Sequence, residues 1–294
     1  MLDDTTLCPL CDEPGALSGA RDVVRVASNV RRFRHEQFTV WRCEGCRSLH
    51  AKEGVELAPY YAGYPLQNQR FDFFTRVSFR NRLKMLERQG LRRGQRVLDY
   101  GCGAGLFVRY LREAGYDVTG YDPYSPRFAD RTPLTTRFDA LVSQDVLEHA
   151  EEPAEMLREW AGLLNEGGLL FIGTPNADEI DLQRPDLYSF EIHQPYHRHL
   201  LSERALVDAG AKAGFVPVAV EKRFYLDTWV PFNNLAFARA YVARLGGDLD
   251  AAFEPPHVAT VLRTPKLWFL GYFGRFFRSR GNLLCTMRKP AAAA

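Results

Sequence analysis

Two Cys-x-x-Cys pairs, Cys8 with Cys11 and Cys43 with Cys46, stand on either side of a stretch that alternates apolar and polar residues, in Val23–Val30 and again in Phe38–Cys46. A Cys-x-x-Cys turn aims two thiolates at one point, and two such turns complete a tetrahedral sulfur site for zinc. A redox dithiol needs only one pair beside a βαβ unit, so this spacing predicts a metal. Four sulfurs leave no position for water, so the expected role is structural and not catalytic. A segment of about fifty residues buries little core, and the metal would supply its folding energy. The expectation is a zinc ribbon over residues 1–56. Residues 1–50 hold seven Arg, no Lys and seven acidic residues, which is not the basic footprint of a nucleic-acid reader.

The second chemical signal is Arg96-Val-Leu-Asp-Tyr-Gly-Cys-Gly-Ala-Gly105. A short apolar strand ends in Asp99, turns through glycines and enters a helix that closes near Gly115. Gly101 and Gly103 let backbone approach a ligand without Cβ contact, and the helix start offers free N–H groups. The spacing is G-x-G-x-G, with Leu106 where a dinucleotide fingerprint wants glycine. A second strand, Asp117–Asp122, ends in an acid placed to accept ribose hydroxyls.

A strand with this acid and this loop resembles the first motif of class I S-adenosylmethionine-dependent methyltransferases. The likeness continues through Phe138-Asp-Ala-Leu-Val-Ser-Gln-Asp-Val-Leu-Glu-His149, a helix opened by Pro153, and Leu169–Gly173 landing on Thr174-Pro175-Asn176. It spans residues 94–220 and is similar to ubiquinone-biosynthesis, sugar and natural-product methyltransferases. The resemblance implies a doubly wound, Rossmann-like α/β fold with a seven-stranded, mostly parallel sheet. It also implies S-adenosylmethionine held by Asp99, Tyr100, Gly101, Cys102, Gly103, Asp122, Pro123, Gln144 and Asp145. The four-cysteine module and the aromatic run Leu57–Tyr64 resemble those of sugar C-methyltransferases and antibiotic-pathway relatives, so the implied acceptor is a small molecule or sugar. A ribosomal RNA methyltransferase group also carries a zinc module, which makes RNA methylation the first rival reading, and a catalytically inactive cofactor-binding module is the second. One departure stands out: residues 123–137, with Pro123, Pro126 and Pro133, are too short and too proline-rich for the usual helix and third strand.

Methyl transfer from a sulfonium needs alignment, dryness and, for a hydroxyl or carbon acid, a base. In open α/β sheets these groups lie beyond the carboxyl ends of the strands. His149 follows the fourth strand, and Glu191-Ile-His-Gln-Pro-Tyr-His-Arg-His199 follows the fifth. His149, His197 and His199 are the candidate bases. A histidine after V-L-E more often caps a helix, and H-x-x-x-H-x-H alone carries little weight as a metal site. Cys102 reads as a small packed side chain, not a nucleophile.

The positioning elements follow. A helical linker is expected over 57–93, then the α/β domain over 94–290, with a helix from Ser202 to Gly214, a strand at 216–220 and a last strand at 282–288. An insertion at 221–281 carries two expected helices, 229–245 and 265–279. Residues 70–96 and 263–294 are rich in Arg and Lys, and the run Leu267–Arg278 mixes aromatics with cations. The favoured reading of that run is a lid that packs its aromatics over the catalytic domain. The alternative is peripheral contact of 265–279 with a membrane surface. The composition, 46% hydrophobic and 25% charged with a net charge of +2, is that of an ordinary globular chain. No apolar span of membrane length and no leader-like start is read, so the expected compartment is the cytoplasm.

Overall fold

The computed structural model describes residues 7–62, 64–65, 69–277 and 280–291. Gly63 of the aromatic linker, residues 278–279 of the cationic run, residues 66–68 and both chain ends lie outside the described residues. Three strands, β1 (Val23–Ala27), β2 (Gln37–Arg42) and β3 (Leu49–Ala51), follow the first cysteine pair. The linker makes one turn of helix, α1 (Ala58–Tyr61), and then α2 (Phe73–Arg88). Asp72 starts α2 by accepting the backbone N–H of Thr75.

The α/β core then runs β4 (Arg96–Tyr100), α3 (Leu106–Glu113), β5 (Asp117–Tyr121), β6 (Phe138–Gln144), α4 (Pro153–Leu163) and β7 (Leu164–Pro175). Beyond it come α5 (Ser189–Ile192), the two-residue strand β8 (His199–Leu200), α6 (Glu203–Lys212) and β9 (Val216–Glu221). The insertion supplies α7 (Leu235–Arg244), α8 (Val258–Arg263) and α9 (Pro265–Phe273), and β10 (Asn282–Arg288) closes the chain. The caps read from sequence do their work: Ser202 accepts from Ala205 N–H at the start of α6, and Gly214 takes a positive φ of 91° past its end.

The large sheet has the order β5-β4-β6-β7-β10-β9. Neighbours from β5 to β7 are parallel, and β10 runs antiparallel to both β7 and β9. The parallel strands are buried on both faces, which is why β4 and β6 read as near-continuous apolar runs. The doubly wound fold is as expected, but the described sheet has six strands and not seven. Residues 123–137 form tight turns and one 3-10 turn (Thr132–Thr135), because their prolines withhold the donors that a strand needs. Strand order reverses at β4 and β6, and the crevice there opens over the glycine loop.

A second sheet has the order β1-β2-β3-β8. Its fourth strand comes from the α/β half of the chain, with Leu49 opposite Leu200 and His50 opposite His199. Cys8, Cys43 and Cys46 share a hydrophobic cluster with Leu201, Leu206 and Met287. Arg42, 4% exposed, donates to the carbonyls of Arg47, Ala177 and Ile180. The ribbon is therefore built into the α/β core.

The insertion is anchored on its inner side. Arg239 of α7 pairs with the buried Glu191, and Arg31 in the ribbon pairs with Asp248 and Glu254. Its outer side corrects the expected lid. Phe269, Phe273 and Phe276 are 51%, 51% and 62% exposed, so these aromatics face outward and do not pack over the catalytic domain. No helix among the described residues is long and apolar enough to cross a membrane.

Candidate active site

Strand alternation decides which residues at the end of β4 face the crevice. Asp99, 3% exposed, faces α2, where the Arg82 guanidinium lies 4.0 Å away. Burial raises the Asp99 carboxyl to about 6, and Arg82 opposes that shift. Tyr100 turns to the other face, where its ring meets Tyr121 and Trp160 and its hydroxyl donates to Glu159. Of the residues named from sequence, Tyr100 can thus meet a ligand only through its backbone.

Gly101 has φ 78°, and a Cβ there would sit 2.2 Å from Val146. Gly103, with φ 54°, has nothing within 4 Å of where its Cβ would be, so the loop leaves an open space above it. Asp122 accepts the backbone N–H of Gly103 at 2.8 Å and that of Tyr124 at 2.8 Å, which ties the β5 end to the loop and leaves further lone pairs for hydroxyls. Pro123 is exposed beside it. Cys102 is half-buried, and burial pushes its thiol well up, as fits a packed side chain. At the end of β6, Gln144 donates to Asp145, whose φ of 54° is left-handed. Such strain in a non-glycine residue is typical of functional turns. Burial raises Asp145 to about 6.

Sequence reasoning missed Arg82, which lies in the run 70–96 noted only as rich in Arg and Lys. It is 7% exposed, its Nε and Nη2 have no hydrogen-bond partner among the described residues, and its guanidinium lies over the Phe107 ring at 4.0 Å. A buried donor without an acceptor points to one that arrives with a ligand. The signal was present in the spacing: Phe79, Arg82, Leu83 and Leu86 recur on one helix face, so this arginine sits in the apolar stripe.

The histidines converge beyond β6 and β7. His149 Nδ1 lies 3.1 Å from the Tyr61 hydroxyl, and its ring meets His197 edge-on at 4.8 Å. Burial lowers His149 to about 4 and His197 further, so both are neutral near pH 7. His149 keeps partial exposure, whereas His197 is 6% exposed and its Nδ1 is held by the Glu191 carbonyl at 2.5 Å. His193 is lowered to about 3 by burial and then by His149, and it is fixed by Tyr64 and Asn29. His199 turns into the ribbon, with Nδ1 3.0 Å from that of His50 and Nε2 near the Glu151 carbonyl. Strand pairing in β8 draws it there, so it does not join His149 and His197. Tyr61 and Tyr64, read from sequence only as linker aromatics, close over this group.

Glu148 was passed over within its motif. It is fully buried, Thr174 donates to its Oε2, and burial with Asp145 nearby raises it far above the usual carboxylate range. Glu148, His149 and His197 each bring one donor atom within 4.8 Å of the others. The cysteine set is different, with four sulfurs grouped within the same distance. Cys8 and Cys46 are 3.7 Å apart, as are Cys11 and Cys43. Tetrahedral zinc with Zn–S of about 2.3 Å spaces its sulfurs by about 3.8 Å, so these four thiols fit the ion. Cys46 is pulled well below the usual thiol range, chiefly by the Cys8 thiol that donates to it.

The fold is that of class I S-adenosylmethionine-dependent methyltransferases. A family model described as a methyltransferase domain matches residues 64–220, over half of the chain, and the chain belongs to that family. A ubiquinone biosynthesis O-methyltransferase of Coxiella burnetii is 33% identical over 118 residues, covering 33% of this chain and 50% of that protein. One from Methylocella silvestris is 34% identical over 104 residues, covering 28% and 41%. The chain thus spans about half the length or less of these curated relatives. Among solved structures, the complex between the Haloferax volcanii Trm112 methyltransferase activator and a methyltransferase contains a chain with TM-score 0.51 and 16% identity. The likeness covers 81% of this chain and 100% of that one, and speaks for the fold.

Proposed function

We propose that this chain transfers a methyl group from S-adenosylmethionine to a small-molecule or sugar acceptor, and that its ribbon holds one structural zinc. The observation that carries the reading is the buried pair of Asp99 and Arg82 at the crevice, with two guanidinium nitrogens left without acceptors. An amino-acid end group needs a carboxylate for its ammonium and a cation for its carboxylate, and these two residues offer both. The open space above Gly103 and the acceptor capacity that remains on Asp122 support a ribose-bearing ligand there. Gln144 and Asp145 close the β6 side.

When bound, the cofactor supplies an already activated methyl on a sulfonium. The chain then needs to orient the acceptor, exclude water and take a proton. His149 is proposed as the proton acceptor, since it is partly exposed and held by Tyr61 while His193 and His197 are sealed. Tyr61 orients its ring through Nδ1 and packs face to face with Tyr124. His197 is a positioning residue that holds His149 from the side. His199 and His50 belong to the seam between ribbon and core.

Isothermal titration with S-adenosylhomocysteine, with metal content measured on the same sample, tests this reading. Micromolar binding, one zinc per chain, and at least a roughly tenfold loss in both Asp122→Ala and Arg82→Met are expected. A folded, metal-loaded protein that binds no S-adenosylhomocysteine would overturn it.

A further inference from the structure

The outward aromatics of the insertion are concentrated. Of the seventeen large apolar side chains that stand exposed in the described chain, nine fall between Trp229 and Phe277. Trp229 is 77% exposed and meets Phe276 edge-on, while Phe269 contacts both Phe273 and Phe277. Helix α9 is apolar nearly all round, with Lys266 its single charge. Such a helix is normally buried on every side. Here only one side is: Leu267 is 1% exposed, Gly271 packs under Phe232, and Asn234 donates to the Leu270 carbonyl. The rest is presented outward, and an apolar patch of this kind marks an interaction surface.

Charge decides the occupant. From residue 255 to the end the chain contains no Asp or Glu. Arg263, Lys266 and Arg280 are exposed, and none of them forms an ion pair among the described residues. A second copy docked on this face would bring cations against cations. Trp, Tyr and Phe rings mixed with Lys and Arg on one surface match the interface of a bilayer, where rings enter the headgroup level and cations meet lipid phosphates.

We propose that the α8–α9 face is a peripheral docking surface for anionic lipid bilayers. The inference does not depend on which reaction the crevice performs. It does have a consequence for access. Tyr225, whose ring lies 5.8 Å from the Arg82 guanidinium, is four positions before Trp229, whose ring meets Phe276, so a short run of chain links the crevice wall to the docked face. An acceptor embedded at the membrane surface would reach the site from there.

Co-sedimentation of the full chain with vesicles of pure phosphatidylcholine, and with vesicles containing roughly a third phosphatidylglycerol, tests the proposal. The wild type is expected to pellet with the anionic vesicles and to release as salt is raised. Lys266→Glu with Arg263→Glu should lower that partitioning at least roughly tenfold, and so should Phe273→Ser with Phe276→Ser. Both variants should keep their melting temperature and their affinity for S-adenosylhomocysteine. Absence of partitioning to either vesicle overturns the proposal. So does equal binding to both vesicles that the charge reversals leave unchanged. A wild-type dimer that the phenylalanine substitutions disperse, measured by sedimentation velocity, would assign the face to a second copy instead.

Discussion

The ribbon and the helical insertion both lie outside the large sheet, and they meet the core in opposite ways. The ribbon turns polar groups inward onto partners in the core: Arg42 donates through Nη1 and Nη2 to carbonyls of the loop after β7, and Ser202 caps α6 while donating to the Cys46 carbonyl. The insertion seats one side through Arg239 and Leu267 and leaves its aromatic side outward. Length does not explain the difference. The ribbon contributes three strands that need a fourth, and the core supplies it as β8, whereas the helices satisfy their own backbones and need only one apolar stripe covered. Segments that complete their hydrogen bonding by themselves are free to keep a surface for something else.

Removing one sulfur should break this contrast most severely. Cys43→Ser is expected to make the protein insoluble or to lower its melting temperature by more than about 10 °C, because a structural zinc carries much of a small module's folding energy. Differential scanning fluorimetry with and without a chelator reads it. A variant that melted normally would show that the ribbon holds without its four-thiol site. Arg42→Met should follow at about 3 kcal/mol, since two buried carbonyls and one part-buried carbonyl lose their donors. Urea unfolding measures that loss, and a cost below about 1 kcal/mol would count against the inward-facing seam.

Acid should act on the group between the two regions. His149 and His193 are held near about 4 and about 3 against an ordinary 6.5. Below pH 6.5 the unfolded chain takes protons that the folded chain refuses, so this stability is full above that pH and is lost as pH falls toward the folded values. The slope is roughly 1.4 kcal/mol per unit for each ring. Unfolding midpoints at several pH values from neutral downward should fall accordingly, and less steeply in His149→Gln. Ser202→Ala, which removes a cap and a latch together, should cost about 1–2 kcal/mol, or a few degrees of melting temperature. Phe269→Ser, on the insertion's outer side, should change stability by less than about 0.5 kcal/mol. A large loss there would mean that this aromatic face is packed after all.

Elements with a strong local signature were legible in the chain. The glycine loop, the acids ending β4 and β5, the Ser202 cap and the sulfur pairs all announce themselves through spacing, and the fold class follows from their order. The six-strand count was half-legible: three prolines in 123–137 ruled out a helix, but the chemistry of a missing strand is read only against its neighbours. Arg82 was hidden because a charge in a basic run looks solvated until its helix face is known. His197 and His199 looked equivalent in sequence. A two-residue strand separates them, and no local propensity announces a pairing that is completed by residues near position 50. The aromatic run misled for a related reason, since composition tells that rings want covering and not whether the chain itself covers them.

That two-residue strand has one more consequence. His199 sits between a ring that touches the Cys8 sulfur and a chain segment that, two positions earlier, holds His197 beside His149. A metal in the ribbon and a ligand in the crevice would then draw on the same ordered backbone, and coupling of this kind is reciprocal. Whatever factor the metal adds to ligand affinity, the ligand returns to the metal. An ion that never approaches the reacting atoms would then report, through its own dissociation constant, on whether the distant crevice is filled.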